Sequence, residues 1–247
     1  MLRMLAVTAH PDDEAGAFGG TLRLYADRGV EVFVICLTPG HAGTHRGKAK
    51  NDHELAALRR QEFAAACEIL HVTRAAVLDY PDGQLHRVDL QRVVSELVLQ
   101  IRELRPQVML SMGPEGAITG HTDHSMASVF ATLAFHWAGR DNRFPDQLSG
   151  RLTPHRTQKL YYCTAPAPLP NRQPISLPPV TARIEIGDYL ATKIAAFHAH
   201  QTQAPLFPLF DEHVGKLGSP ELFHLAASIS PGEVSMETDL FAGVAAT

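Results

Sequence analysis

Four times in the first 138 residues a short apolar run gives way to a polar loop and then to a helical pattern. The runs are 4–9, 31–37, 75–80 and 108–112, and they read as strands buried on both faces. The first helical stretch is 15–28, closed by Gly29; the second is 52–70, with Leu55, Leu58, Phe63, Ala66 and Leu70 near one face. In the third, Leu90, Val94, Leu97, Ile101 and Leu104 recur at steps of four and three before Pro106 stops the pattern; 125–138 is the fourth. Strand and helix in this alternation predict an α/β fold, a mostly parallel sheet with right-handed crossovers and helices on both faces. In such sheets ligands gather outside the carboxyl ends of the strands.

Beyond residue 142 the texture changes. Pro166, Pro168, Pro170, Pro174, Pro178 and Pro179 interrupt any long regular element. Residues 159–163 and 182–186 look like short strands, and 188–200 looks helical. The expectation is one α/β domain over 1–247, with a core over 1–141. A smaller Pro-rich C-terminal extension over 142–247 packs on that core and walls the site. The tail after Ser230 carries no readable pattern, and no internal repeat is visible.

Composition bounds the rest. With 247 residues, 45% hydrophobic and 19% charged, the chain has the balance of a soluble globular protein and enough length to bury a core without disulfides. A formal charge of −4 and the lack of a Lys/Arg cluster argue against nucleic acid as a partner. No stretch reaches membrane-spanning length, and the opening apolar run is too short for a signal peptide. Cys36, Cys67 and Cys163 are far apart and form no CxxC pair, so they read as reduced core residues of a cytoplasmic protein. No nucleic-acid or membrane partner is expected; a homo-oligomer stays open.

Two polar clusters follow expected strands. His10-Pro11-Asp12-Asp13-Glu14 puts an imidazole and three carboxyl groups into one strand-to-helix corner. A catalytic zinc takes three protein ligands and keeps one position open. His10 and Asp13 can supply two, and the third must come from elsewhere. The natural source is His121-Thr122-Asp123-His124, after the fourth strand. The simpler reading of the first cluster is a helix cap by Asp12 or Asp13, with acids suited to the first turn. Capping needs one aspartate and leaves both His10 and the second cluster unexplained.

The strings AHPDDE and GHTDH, in this order and at this separation, resemble the PIG-L/LmbE family of N-acetylglucosaminyl deacetylases. LAALRRQEFAAACEIL, LDYPDGQL, MGPEGAITGHTDH, KIAAFHAHQTQ and ELFHLA extend the likeness over most of the chain. The resemblance implies a Rossmann-like fold and one Zn²⁺ per chain, or another divalent transition metal, held by His10, Asp13 and His124. It implies that Asp12 is the general base toward the attacking water. His121 becomes the partner of the oxyanion, with Asp123 orienting it. Arg59, in the R-x-x-E helix, and Asp82, in the PDG turn, would hydrogen-bond sugar hydroxyls; by themselves they would read as a solvated helix charge and a turn residue. His200, in HQTQ, also matches the family pattern, whereas a helix-end histidine by itself reads as structural. His41 and His45 stand where relatives often carry an acid near Gly40, and Thr119 where some carry a tyrosine.

The implied reaction is zinc-dependent hydrolysis of the N-acetyl amide of an N-acetylglucosamine-type sugar or conjugate, releasing acetate and a free amine. The variant within the family is an amidase cutting another amide on a related sugar–thiol conjugate. From a different class comes a Mg²⁺-dependent nucleotide- or phosphoryl-binding protein. Against it, Gly16-Ala17-Phe18-Gly19-Gly20 is no GxGxxG fingerprint, and no GK[ST] occurs. Two imidazoles among three donors also favour zinc over magnesium. A non-catalytic sugar-binding relative would require a damaged set of ligands, and every position is present.

Overall fold

The computed structural model describes residues 1–150, 152–167, 175–230, 232 and 234–245. Pro168, Pro170 and Pro174, expected to break regular structure, lie outside the described residues.

The four expected units are present in order: β1 (Arg3–Thr8) and α1 (Asp13–Asp27), β2 (Glu31–Cys36) and α2 (Asp52–Ile69), β3 (Arg74–Val77) and α3 (Leu90–Leu104), β4 (Val108–Ser111) and α4 (Thr122–Ala138). They are followed by β5 (Lys159–Thr164), β6 (Ala182–Glu185), α5 (Leu190–His198), α6 (Phe207–Leu217) and β7 (Pro220–Ser228). All seven strands form one sheet in the order β3-β2-β1-β4-β5-β7-β6. The first five are parallel, and β7 runs antiparallel between β5 and β6. The residues after 142 therefore extend the sheet as well as covering it. Neither β7 nor α6 is announced by the sequence pattern.

Alternation along β1 divides the core, because successive strand residues point to opposite faces. Met4 and Ala6 join Phe18, Phe63, Leu70 and Phe197, so α1, α2 and α5 cover one face. Leu5 and Val7 join Leu97, Ile101 and Phe130, so α3 and α4 cover the other. Dry on both faces, β1, β2 and β4 are apolar runs. β3, expected to be buried on both faces, is instead an edge strand with Arg74 and Ala75 exposed, and β6 alternates buried Ala182 and Ile184 with exposed Arg183 and Glu185. Each fully buried Leu or Phe contributes roughly 1.5–3 kcal/mol of transfer free energy.

The helix ends are specified locally. Asn51 caps α2 by accepting from Glu54 N at 2.9 Å, and Asp89 caps α3 by accepting from Arg92 N at 3.0 Å. In α1, Gly20 is required by packing: a Cβ there would lie 2.7 Å from Ile186 Cβ. The periodicity of α2 places Leu58 on its core face, yet Leu58 is half-buried and its neighbour Arg59 is the buried one, 4% exposed.

Arg102, 1% exposed, has no carboxylate partner among the described residues. Its guanidinium instead donates to the carbonyls of Ala138, Phe144, Arg140 and Arg143 and to Gln147 Oε1, at 2.7–3.2 Å. A cation here meets the negative end of α4 and satisfies carbonyls that the helix cannot. Beyond Ser230, Glu237 and Asp239 are also pinned. Glu237 accepts from Lys159 Nζ and Tyr161 OH, and Asp239 accepts from Tyr25 OH at 2.7 Å. No helix among the described residues is long and apolar enough to cross a membrane.

The chain lays β2 and β3 on one side of β1, then β4 and β5 on the other. The point of reversal lies between the carboxyl ends of β1 and β4, where an open α/β sheet leaves a crevice.

Candidate active site

The segments that follow β1 and β4 meet in that crevice. His124 Nε2 lies 3.1 Å from Asp13 Oδ1, although 111 positions separate the two residues. Both belong to first helical turns, since α1 begins at Asp13 and α4 at Thr122, two and three residues ahead of the sequence expectation.

Neither aspartate caps α1. Asp12 sits just before it at φ 119°, a left-handed conformation costly for a residue with a Cβ, and its side chain makes no cap bond. Asp13 folds back onto the strand end: its Oδ2 accepts from Ala9 N at 3.1 Å and His10 N at 2.9 Å. That leaves Oδ1 for His124. Two contacts hold Asp12 in place. Its N–H donates to Glu14 Oε2 at 3.0 Å, and its Oδ2 accepts from Arg59 Nη2 at 2.7 Å. Arg59 also donates to the carbonyls of Pro11 and Gly40. Gly40 (φ +68°) has no alternative, because a Cβ would lie 2.6 Å from Arg59 Cζ. Arg59 is thus no solvated charge.

His121 is the N-cap of α4. Its Nδ1 accepts from Asp123 N at 3.1 Å, which requires the proton on Nε2 and turns that N–H outward. His124 is fixed from behind, Nδ1 lying 3.3 Å from Gly116 O and 3.2 Å from Thr119 Oγ1. The expectation that Asp123 orients His121 needs correction. The Asp123 carboxylate is fully buried, accepts from Gly83 N (2.7 Å) and Leu85 N (3.1 Å), and faces His10 Nε2 at 3.4 Å. Its link to His121 runs through the backbone N–H, because a residue two past the cap points its side chain across the groove. Asp82 joins it: Oδ1 is 3.1 Å from His10 Nε2, and Oδ2 accepts from Ala42 N at 2.6 Å. A turn residue in sequence, Asp82 here grips an imidazole.

The electrostatics follow from these contacts. Burial opposes the charge on His10, but the bonds to Asp123 and Asp82 and the charge of Asp13 outweigh it, so its pKa is pushed up to about 10. Asp13 is held well below the usual carboxylate range: burial opposes ionisation, and His124 and then His10 override it. Asp12 is displaced upward, by burial first and then by Asp13, against the pull of Arg59. Burial lowers the pKa of His121, helped by the charges of His10 and His124. Three carboxylates around His10 thus draw a proton onto it; a cluster so negative also suits a cation.

The donors fit a divalent ion. Imidazole nitrogens of His10, His121 and His124 lie within 4.8 Å of one another, and Asp13 Oδ1 is 3.1 Å from His124. Two atoms bound to one tetrahedral zinc at about 2.0–2.1 Å would be about 3.3 Å apart. Asp82 and Asp123 hold the far nitrogen of His10, the arrangement by which carboxylates orient a ligating imidazole.

Sequence reasoning missed one buried pair. His200 Nε2 lies 2.7 Å from Glu14 Oε1, with both residues fully buried. Only the HQTQ string pointed to His200, and nothing local named its partner.

A profile of the GlcNAc-PI de-N-acetylase (PIG-L) family matches residues 5–135, a span that includes both clusters. The chain is 31% identical, over 91% of its length and 76% of the relative's, to a diacetylchitobiose deacetylase of Thermococcus kodakarensis. It is also 31% identical, over 98% of its length and 97% of the relative's, to a 1D-myo-inositol 2-acetamido-2-deoxy-alpha-D-glucopyranoside deacetylase of Catenulispora acidiphila. Among solved structures it resembles the N,N'-diacetylchitobiose deacetylase of Pyrococcus horikoshii (TM-score 0.74, 23% identity, 90% of this chain and 83% of that one).

Proposed function

This chain belongs to the PIG-L family, and on that premise we propose that it hydrolyses the N-acetyl amide of an N-acetylglucosamine-type sugar or conjugate, releasing acetate and the free amine. The observation that carries the reading is Asp12, a carboxylate of raised pKa clamped by Arg59 beside the His10, Asp13 and His124 donors.

In this reading His10, Asp13 and His124 hold a divalent ion, and the nitrogen-rich donor set favours Zn²⁺. Such an ion supplies Lewis-acid polarisation of the amide carbonyl and makes water a better nucleophile. Asp12 takes a proton from the attacking water, a role for which an upward-shifted carboxylate is suited. His121 presents Nε2–H to the oxygen that gains charge in the tetrahedral intermediate, helped by the positive end of α4 behind it. The proton that Asp12 has taken from the water then goes to the departing amine as the C–N bond breaks, which balances the step with His121 neutral throughout. Asp123 acts one step back, aligning His10 and, through its N–H, His121.

Arg59 and Asp82 line the same cleft. Each is already committed, to Asp12 and to His10, so we assign both a double duty. They position those groups and offer their remaining N–H and lone-pair capacity to sugar hydroxyls. Of the α1 glycines, Gly20 packs against Ile186 while Gly16 lines the cleft; the phosphate-binding alternative is left without a GxGxxG or GK[ST] motif. The reading includes a cytoplasmic setting, supported by the free thiols of the buried Cys36, Cys67 and Cys163.

The test is acetate release from a panel of N-acetylglucosamine conjugates. Chelation should abolish it and Zn²⁺ restore it; full turnover by demonstrably metal-free protein would overturn the reading.

A further inference from the structure

The site opens into a cleft of about 600 Å³, within the ~300–1,000 Å³ range of pockets that bury drug-sized ligands. A single N-acetylated sugar is smaller than such ligands and leaves part of the cleft unfilled. The polar part holds the donors His10, Asp13 and His124 together with Arg59, Asp82 and the backbone of residues 42–45. The remainder is an apolar arm, lined by Gly16 on α1 and by Leu206, Leu209, Val214 and Leu217 at α6.

That arm adjoins the helix that carries Arg59. α5 packs on α1 and α2. The turn after it is tied to α2, for Thr202 donates through N and Oγ1 to the Glu62 carboxylate at 2.7 and 2.6 Å. Glu62 stands one helical turn after Arg59, and Gln203, next to Thr202, lines the cleft. α6 follows directly and is fastened to α5 by stacking of Phe210 on Phe197 (ring centroids 3.8 Å apart) and of Phe207 on His198 (4.2 Å). Leu209 is 48% exposed; of the large apolar side chains left exposed among the described residues, it alone lines the cleft.

Charges in this arm are neutralised. Lys193 Nζ lies 2.6 Å from Glu221 Oε1, and that carboxylate also accepts from Gly20 N and Thr21 N. His213, which lines the cleft from α6, has its pKa lowered by burial and by the charges of Lys193 and Lys216, so its imidazole is neutral near pH 7.

We propose that this arm is an aglycone subsite for an uncharged, apolar group, so that the chain prefers N-acetylglucosaminides with an apolar substituent on the anomeric oxygen over the methyl glycoside. The inference rests on the N-acetyl hydrolysis proposed above and deepens it. On its acyl side an acetamide ends one methyl past the scissile carbon, so the surroundings of the donors hold that side entirely. Whatever fills the arm is therefore joined to the nitrogen side. There the nitrogen is borne by one ring carbon and the anomeric oxygen by its neighbour, which starts the aglycone close to the donors. With the sugar hydroxyls at Arg59, α6 beside the same helix is the surface that the aglycone meets. An apolar wall half open to water is stabilised by an apolar occupant, whereas an anionic aglycone finds Lys193 already paired.

The test follows acetate release by the zinc-loaded full chain from methyl, butyl, octyl and 3-carboxypropyl N-acetylglucosaminides, both anomers, below micelle-forming concentrations. Each buried methylene is worth up to about fourfold, so kcat/KM should rise at least about tenfold from methyl to octyl on one anomer. The 3-carboxypropyl glycoside should fall below the butyl. Leu209→Asp should cut the octyl-to-methyl ratio by about threefold or more, while Leu209→Met should preserve it; at an exposed position neither change threatens folding. Methyl glycoside turnover with a flat or falling chain-length series would overturn the subsite and leave the amidohydrolase reading standing. Equal kcat/KM for the butyl and 3-carboxypropyl glycosides would do the same. No acetate from any of the glycosides would overturn both.

Discussion

His200 Nε2 and Glu14 Oε1 lie 2.7 Å apart across 186 positions of sequence, both out of contact with solvent. The other oxygen of Glu14 accepts from Asp12 N, so the pair reaches the strained residue proposed as the base. Burial opposes a charge on His200, but Glu14 outweighs it and lifts its pKa. His200→Ala would leave a buried carboxylate without its partner and let Asp12 relax. We expect kcat to fall about tenfold or more, equivalent to ~1.4 kcal/mol, with zinc content unchanged. His200→Gln, whose amide can still donate, should lose less; equal loss in both would contradict the linkage.

Asp12 and Asp13 are neighbours with separable duties. Asp13→Asn or His124→Ala should lose bound zinc, measured by elemental analysis of dialysed protein. Asp12→Asn should keep it and lose roughly 10²–10⁴-fold in kcat, the usual worth of general-base catalysis. An Asp12 variant with ordinary turnover would remove it from the mechanism.

Arg102 offers a stability test away from the site. Arg102→Leu fills part of the volume but strands the carbonyls of Ala138, Arg140, Arg143 and Phe144. At about 1–3 kcal/mol for each stranded acceptor that water cannot reach, unfolding free energy in urea should drop by at least about 3 kcal/mol. A change below about 1 kcal/mol would mean that those carbonyls find water.

His155 should show its burial in the pH dependence of stability. It is 3% exposed and donates Nε2–H to Pro106 O at 2.7 Å. Burial, with Arg105 and Arg3 nearby, holds its pKa below the ordinary 6.5 despite that bond. The unfolded chain therefore takes up this proton first as pH falls. The stability contribution is complete above pH 6.5 and is lost as pH drops through 6.5 toward the lower folded value. Compared with wild type, His155→Gln should flatten the acid-side loss by up to ~1.4 kcal/mol per pH unit. Identical slopes between pH 5 and 7 would show that His155 does not titrate on unfolding.

How much of this was legible in residues alone follows from the range of the interactions. The runs 4–9, 31–37, 75–80 and 108–112 and the heptad-like spacing of α3 are local patterns, so the parallel core and its crevice could be read directly. The two clusters that meet there could be read as well, because ligand-bearing side chains lie next to strand ends. The precise helix starts could not, since α4 is capped by His121, a residue type that rarely caps.

What the tertiary structure decided depends on partners distant in the chain. β7 enters between β5 and β6 through pairings that no local alternation announces. Arg59 is buried rather than solvated because Pro11, Asp12 and Gly40 arrive from other segments, and Asp123 turns to His10 rather than His121. Composition and period act within a few residues, whereas hydrogen-bond partners and cleft walls are chosen by the packing of the whole chain.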